Sequence, residues 1–406
     1  MAVLAFDPWS PEFVAHPYDV YAELRAHEPV SWFEPTGQWL VSRYTDVNAL
    51  LRDRRLGRTY LHVASHQDMG RPPDPEHLAA FWHVIRNGML DREPPDHTRL
   101  RRLVSKAFTP RMVERLRPRV QAITDRLVDG LLDRVRDGGT ADLVADLAEP
   151  LPVTVIAELL GVPEADRHLL RPWSADICGM YELNPSDEAA AAAVRACGEF
   201  SAYLVALAAK RRARPREDLV SALAQVVDAG DRLTEDELVG TCVLLLNAGH
   251  EASVNMAANG WYALFRNPDQ LALLRADRSL LASAIEELMR YDTPLQMFER
   301  WVLEDVDVCG VRIPRGSEVA LLFGSANHDP DRFTDPGRLD VRRVDNPHLS
   351  FGAGIHFCLG APLARMELAI VFATLLDRVP GLAMAEKPTW KPGYIIRGLE
   401  QLLVTA

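Results

Sequence analysis

The chain has 406 residues, 48% of them hydrophobic and 25% charged, with a formal net charge of −12. That balance belongs to a globular chain with a sizeable core, and its acidity excludes general affinity for nucleic acid. No Gly/Ser linker or low-complexity tract interrupts it, so residues 1–406 are expected to form a single domain.

The first twelve residues carry Asp7, Pro8 and Pro11 and lack the basic start and apolar core of an export signal. No uninterrupted apolar run approaches the roughly 18 residues of a membrane span, so no membrane partner is expected. The five cysteines, at 178, 197, 242, 309 and 358, are odd in number and form no C-x-x-C pair, which suits a reducing cytoplasm. Residues 17–27 read as a helix, 30–33 and 38–42 as the strands of a hairpin, and 46–54 as helix again. Residues 56–95 show little beyond proline turns. From 97 to 108 the faces separate at about 100° per residue. His97 and Arg101 share a face with Leu100, Val104 and Phe108, where a cation needs an anion, while Arg99, Arg102 and Lys106 fall on the other side as a solvated basic face. Residues 140–161 and 162–187 read as helical with proline breaks, 188–210 as an Ala-rich helix, and 211–216 as a solvated basic loop.

The longest helix opens at Thr234 with Glu237 three residues on, a capping box, and continues to about residue 266. It is apolar on nearly all sides and so expected to be buried, which makes Asn247, His250 and Glu251 costly unless paired. Asn247 and Ala252 flank a stripe formed by Leu244, Ala248 and Glu251. Residues 279–291 form another helix, with Glu287 and Arg290 as an i, i+3 pair. Short strands follow at 306–313 and 318–323, then an aperiodic stretch to 349, and 394–404 reads as a closing hairpin.

Residues 351–360, Phe-Gly-Ala-Gly-Ile-His-Phe-Cys-Leu-Gly, concentrate the chemistry. The glycines permit turns and close approach to a flat ligand, and Pro362 suits the first turn of the helix that follows. A cysteine at a helix N-terminus sits where free N–H groups and the dipole favour the thiolate, the metal-binding form, which fits ligation of a haem iron. A lone cysteine is more often a buried structural residue, but the spacing of Phe351, Gly354, His356, Cys358 and Gly360 reverses that preference.

This spacing resembles the signature F-x-x-G-x-(H/R)-x-C-x-G of the cytochrome P450 haem-thiolate monooxygenases, and further motifs in the family's order extend the resemblance over nearly the whole chain. It implies a mainly α-helical α+β fold with a small β region and a long central helix over haem b. Cys358 would be the proximal iron ligand, His97, Arg101, Arg300 and His356 would hold the propionates, and Phe351, Gly354 and Gly360 would shape the loop. The run Ala248-Gly249-His250-Glu251-Ala252-Ser253 is similar to the family's oxygen-binding segment (A/G)-G-x-(D/E)-T-(T/S). Ala248 and Gly249 would then face the haem and Glu251 would carry protons. Alanine stands at the threonine position, and Ser253, about 100° further round the helix, cannot simply substitute for it. Leu244, Asn247, Met297 and Ile395 would border the substrate, with a substrate hydroxyl, carbonyl or amine bonded to Asn247. Glu287 and Arg290 match the E-x-x-R motif, with Arg338 as the expected third member.

The implied reaction is reductive activation of O2 and hydroxylation or other oxidation of a small, secondary-metabolite-type organic substrate. Electrons would come from a separate ferredoxin or flavodoxin with its NAD(P)H reductase, since no flavin or iron–sulfur motif lies in the chain. Ala252 keeps a peroxygenase or an oxidative-coupling enzyme open, and a non-catalytic haem sensor or carrier is the remaining alternative.

Overall fold

The computed structural model describes residues 6–406, which are mostly helical with short strands. The chain divides into two compact units, one of residues up to 56, 120–151 and 252–406, the other of residues 57–119 and 152–251.

In the first unit the strands Val30–Phe33, Gln38–Val41, Glu318–Leu322 and Met297–Val302 lie side by side in that order. The expected hairpin is present, with Val30 opposite Val41. Gln38–Val41 then runs parallel to Glu318–Leu322, which pairs antiparallel with Met297–Val302 and sets Arg300 opposite Val319. The Met297–Val302 strand escaped the periodicity reading because its burial does not alternate: Met297, Arg300 and Val302 are the buried positions. Val41, Val47, Leu51, Val319, Leu321 and Phe323 form a core that also takes in Leu349 and Ala353. The approach to the cysteine loop is thereby anchored to the sheet by apolar burial, worth about 25 cal/mol per Å² removed from water.

The cysteine loop leads into the helix Ala361–Arg378, with proline in its first turn. This helix packs on the helix Leu281–Tyr291 and stacks Phe372 on Trp261 at 5.1 Å. Gly260 permits that approach, since a Cβ there would lie 2.9 Å from Phe372. The expected C-terminal hairpin does not form. Leu399–Gln401 pairs with Thr389–Trp390, whereas Leu403–Thr405 lies between Ala141–Asp142 and Ala383–Met384. Two strand-like runs show only that partners are needed, and distant segments supply them here. The long helix ends at Arg266 as expected, and Pro268 begins the helix Pro268–Ala276, a position where its missing N–H costs nothing.

In the second unit the helix Asp187–Ala213 packs against Leu170–Cys178, Leu219–Gln225 and Ala79–Asn87, and Trp173 stacks on Phe200 at 5.0 Å. It carries an 18-residue window of mean hydropathy 1.3, long and apolar enough by composition to cross a membrane, but Arg195 and Glu199 interrupt the helix, so no uninterrupted apolar run reaches that length. Its buried positions include Ala190, Ala193, Ala196 and Ala208, small residues that let neighbouring helices approach. The basic run at 211–216 is also corrected. Arg211 continues the helix, is 5% exposed, and bonds Asp218 and the Gly161 carbonyl. A buried guanidinium requires such an anion, and Asp218 also caps the next helix through Ser221 N–H at 2.7 Å.

Candidate active site

In the first unit, Gly352 and Gly354 adopt φ of +67° and +71°. A Cβ on Gly354 would lie 2.4 Å from the Leu51 carbonyl oxygen, so the loop needs glycine there for conformation and for space. The Cys358 N–H donates to the Phe351 carbonyl at 3.0 Å and closes the loop. Cys358 is half-buried and in no disulfide, and Gly360, two residues on, is the N-cap of Ala361–Arg378. Arg365 lies over the Phe351 ring at 4.5 Å and grips Glu286 at 2.6 and 2.7 Å. Burial alone would raise the Glu286 carboxyl; hydrogen bonds from Arg365 and His348 outweigh it and bring it down to about 2. Those same bonds steady the first turn after the cysteine. His356 ends the short 3-10 turn Gly354–His356 and is half-buried. Arg300 is 3% exposed, donates to the Glu299 carbonyl at 2.8 Å and stacks on Phe298. Met297 and Ile395 are buried, and the Ile395 carbonyl accepts from Gln296 N–H at 2.9 Å.

Glu287 and Arg290 are fully buried and joined by two 2.8 Å hydrogen bonds. The third arginine is Arg343, whose Nε donates to Glu287 at 3.0 Å, and this corrects the expectation for Arg338. Arg338 offers only its backbone carbonyl to Arg290, at 3.3 Å, and its side chain is exposed. The turn closed by Arg338 N–H on the Asp335 carbonyl sends that side chain to solvent. Sequence spacing cannot choose between two arginines five residues apart in an aperiodic segment.

In the second unit, His97 is 2% exposed on the helix Asp96–Ala107, with Arg101 half-buried one turn later. Of the outer cations, Arg102 and Lys106 are exposed as expected, but all three have acid partners. Arg99 pairs with Asp231 and Glu237, and Arg102 and Lys106 both clasp Asp228. The capping box is present, with Thr234 N–H to Glu237 at 2.9 Å and Glu237 N–H to Thr234 at 3.1 Å, at the head of the 32-residue helix Glu235–Arg266. Further along, Val243, Leu246 and His250 are buried, whereas Leu244, Gly249 and Glu251 are half-buried and Ala248 is exposed. Ala248 is therefore the accessible residue of this stretch. Gly249 faces Ile156, which a Cβ would approach to 2.6 Å. His250 Nδ1 is 3.1 Å from Ser174 Oγ and 3.7 Å from the Glu251 carboxylate. Asn247 Nδ2 donates to the Tyr181 phenol at 3.4 Å; the sequence reading missed Tyr181, because nothing in its local spacing ties it to a helix some sixty residues away. In the first unit, Ala252 and Ser253 are half-buried at the start of the helix's second part.

The donor set tests whether these residues fit a haem. Among the described residues no group of three or more His, Cys, Asp and Glu side chains gathers to hold an ion. A single thiolate suits a metal that brings ligands of its own, as macrocycle-bound iron does, and the Arg300 guanidinium and the His356 ring N–H are donors that suit its carboxylates. The residues fit.

The family model for cytochrome P450 matches residues 59–380. Cytochrome P450 monooxygenase PikC of Streptomyces venezuelae is 46% identical over 399 residues, 96% of this chain and 91% of its own. The 6-deoxyerythronolide B hydroxylase of Saccharopolyspora erythraea is 42% identical, covering 95% of each chain. The solved structure of P450BioI in complex with an acyl carrier protein ligated to hexadec-9Z-enoic acid matches with a TM-score of 0.90 at 38% identity, covering 98% of this chain and 100% of that one. The relatives' names speak for oxygenation and give the peroxygenase, coupling and sensor alternatives no support. The chain belongs to the cytochrome P450 family and is a haem-thiolate monooxygenase.

Proposed function

We propose that this enzyme hydroxylates or otherwise oxidises a small secondary-metabolite-type substrate, as the names of its relatives suggest. Bound haem supplies the site where O2 is reductively activated. Cys358 would ligate its iron, and His97, Arg101, Arg300 and His356 would hold its propionates, while Phe351, Gly354 and Gly360 shape the loop. Leu244 and Asn247, on the helix that carries Ala248 and Gly249, and in the first unit Met297 and Ile395, are the residues that the family resemblance assigns to the substrate. Glu251 moves protons: its carboxylate adjoins His250, which bonds Ser174, so three proton-exchanging groups lie in sequence. Ala252 contributes no hydroxyl, and the relay depends on these neighbours instead.

The family draws electrons from separate redox proteins, and here we propose a ferredoxin or flavodoxin with its NAD(P)H reductase. The internal pairing of Arg99, Arg102 and Lys106 removes them as the main docking charge. Residues 1–406 act as one functional domain in the cytoplasm.

The observation that carries the reading is the glycine-closed loop presenting Cys358 at the start of a helix. The reduced carbon monoxide complex should show the strongly red-shifted absorption of thiolate-ligated haem, and Cys358→His should abolish it. An unchanged spectrum in that variant would assign the ligand elsewhere.

A further inference from the structure

We propose that Asn247 and Tyr181 form a recognition pair selective for a substrate hydroxyl, an inference that rests on the monooxygenase reading. Asn247 is 3% exposed. Its Nδ2 donates to the Tyr181 phenol oxygen at 3.4 Å, while its Oδ1 has no partner. Burial, the largest influence on Tyr181, raises its pKa, so the phenol keeps its proton. Because that oxygen accepts from Asn247, its O–H remains available to donate. The pair therefore offers one acceptor and one donor side by side.

Asn247 shares a helix face with half-buried Leu244 and Glu251 and lies beside Ala248, the exposed residue of this stretch. The methyl group of Ala248 leaves that face open. A buried acceptor without a donor is expensive, and a ligand whose binding opens the space beside Ala248 and brings a donor to it would relieve that cost. A hydroxyl both gives and accepts: its proton goes to Asn247 Oδ1 and its lone pair takes the Tyr181 proton. A ketone engages Tyr181 alone, and a hydrocarbon neither group.

The test is calorimetric titration of the holoenzyme with cyclododecanol, cyclododecanone and cyclododecane, probes of one ring size that differ in this group. Cyclododecanol should bind about tenfold more tightly than cyclododecanone, the worth of one buried hydrogen bond. Asn247→Leu should bring the alcohol to parity with the ketone, and Tyr181→Phe should weaken the ketone toward the hydrocarbon. Equal affinities in the wild type, an alcohol preference that survives Asn247→Leu, or no binding of cyclododecanol would overturn the proposal. Reduced carbon monoxide spectra of the same samples separate the two levels. A thiolate spectrum without alcohol preference sinks this inference alone, and a wild type lacking that spectrum sinks the monooxygenase reading. Variants that keep the spectrum are folded and haem-loaded.

Discussion

Removing Arg343 and Arg338 separately tests the assignment of the buried acid–arginine network. Glu287 is 0% exposed and accepts from Arg290 twice, from Arg343, from Asp340 N–H and from Asn346. Arg343 is 11% exposed and also donates to the Thr334 carbonyl at 3.0 Å. A hydrogen bond to a buried charge is worth about 1.5–3 kcal/mol. Glu287 keeps its other donors in Arg343→Ala, so that variant should lose about 2 kcal/mol. Arg338→Ala removes an exposed side chain and should stay within about 0.5 kcal/mol of wild type. Glu287→Ala strands the Arg290 guanidinium in the interior and should cost about 3–5 kcal/mol. Urea unfolding of the holoprotein, followed by tryptophan fluorescence and haem absorbance, measures all three. A loss in Arg338→Ala equal to that in Arg343→Ala would refute the reasoning.

Further outcomes follow from burial and pairing elsewhere. Burial, then repulsion from Arg290, holds His328 down to about 3, so the native state keeps it neutral while the unfolded chain takes up a proton below its ordinary 6.5. Stability from this site should be complete above pH 6.5 and fall by about 1.4 kcal/mol per unit as pH drops toward 3, a slope that His328→Gln removes in urea titrations at several pH values. Glu367 is pushed up to about 8 by burial, and the sign is opposite: stability is complete below the ordinary 4.5 and lost as pH rises toward 8. Glu367→Gln should therefore stabilise the protein at pH 8 and leave it unchanged at pH 4. Gly240→Ala would place a Cβ 2.6 Å from Gly88 N and 2.8 Å from the Val84 carbonyl, so thermal unfolding should show a loss of at least about 2 kcal/mol from backbone that cannot yield. Arg102→Ala with Lys106→Ala should leave the salt dependence of reduction by a ferredoxin unchanged, because those cations already serve Asp228.

The sequence by itself determined what rests on local spacing. The cysteine loop, the capping box at Thr234 and Glu237 and the Glu287–Arg290 pair are short-range patterns whose residues must meet wherever the chain goes. Resemblance carried the same motifs to a family, and similarity over nearly the whole chain agrees with it. Tertiary structure alone decided what rests on partners distant in sequence. Arg343 rather than Arg338 reaches Glu287 because a turn at Asp335 orients the segment. Arg211 looks like solvated charge until Asp218 is brought beside it, and the trio at 99, 102 and 106 shows no acid partners until folding brings Asp228, Asp231 and Glu237 to it, although Arg102 and Lys106 stay exposed. The C-terminal strands found partners in three separate segments instead of each other. Asn247 carried a polar signal without a recipient until folding placed Tyr181 against it. A charge or a strand edge specifies that a partner is required, and the identity of that partner follows only from how the backbone closes around it.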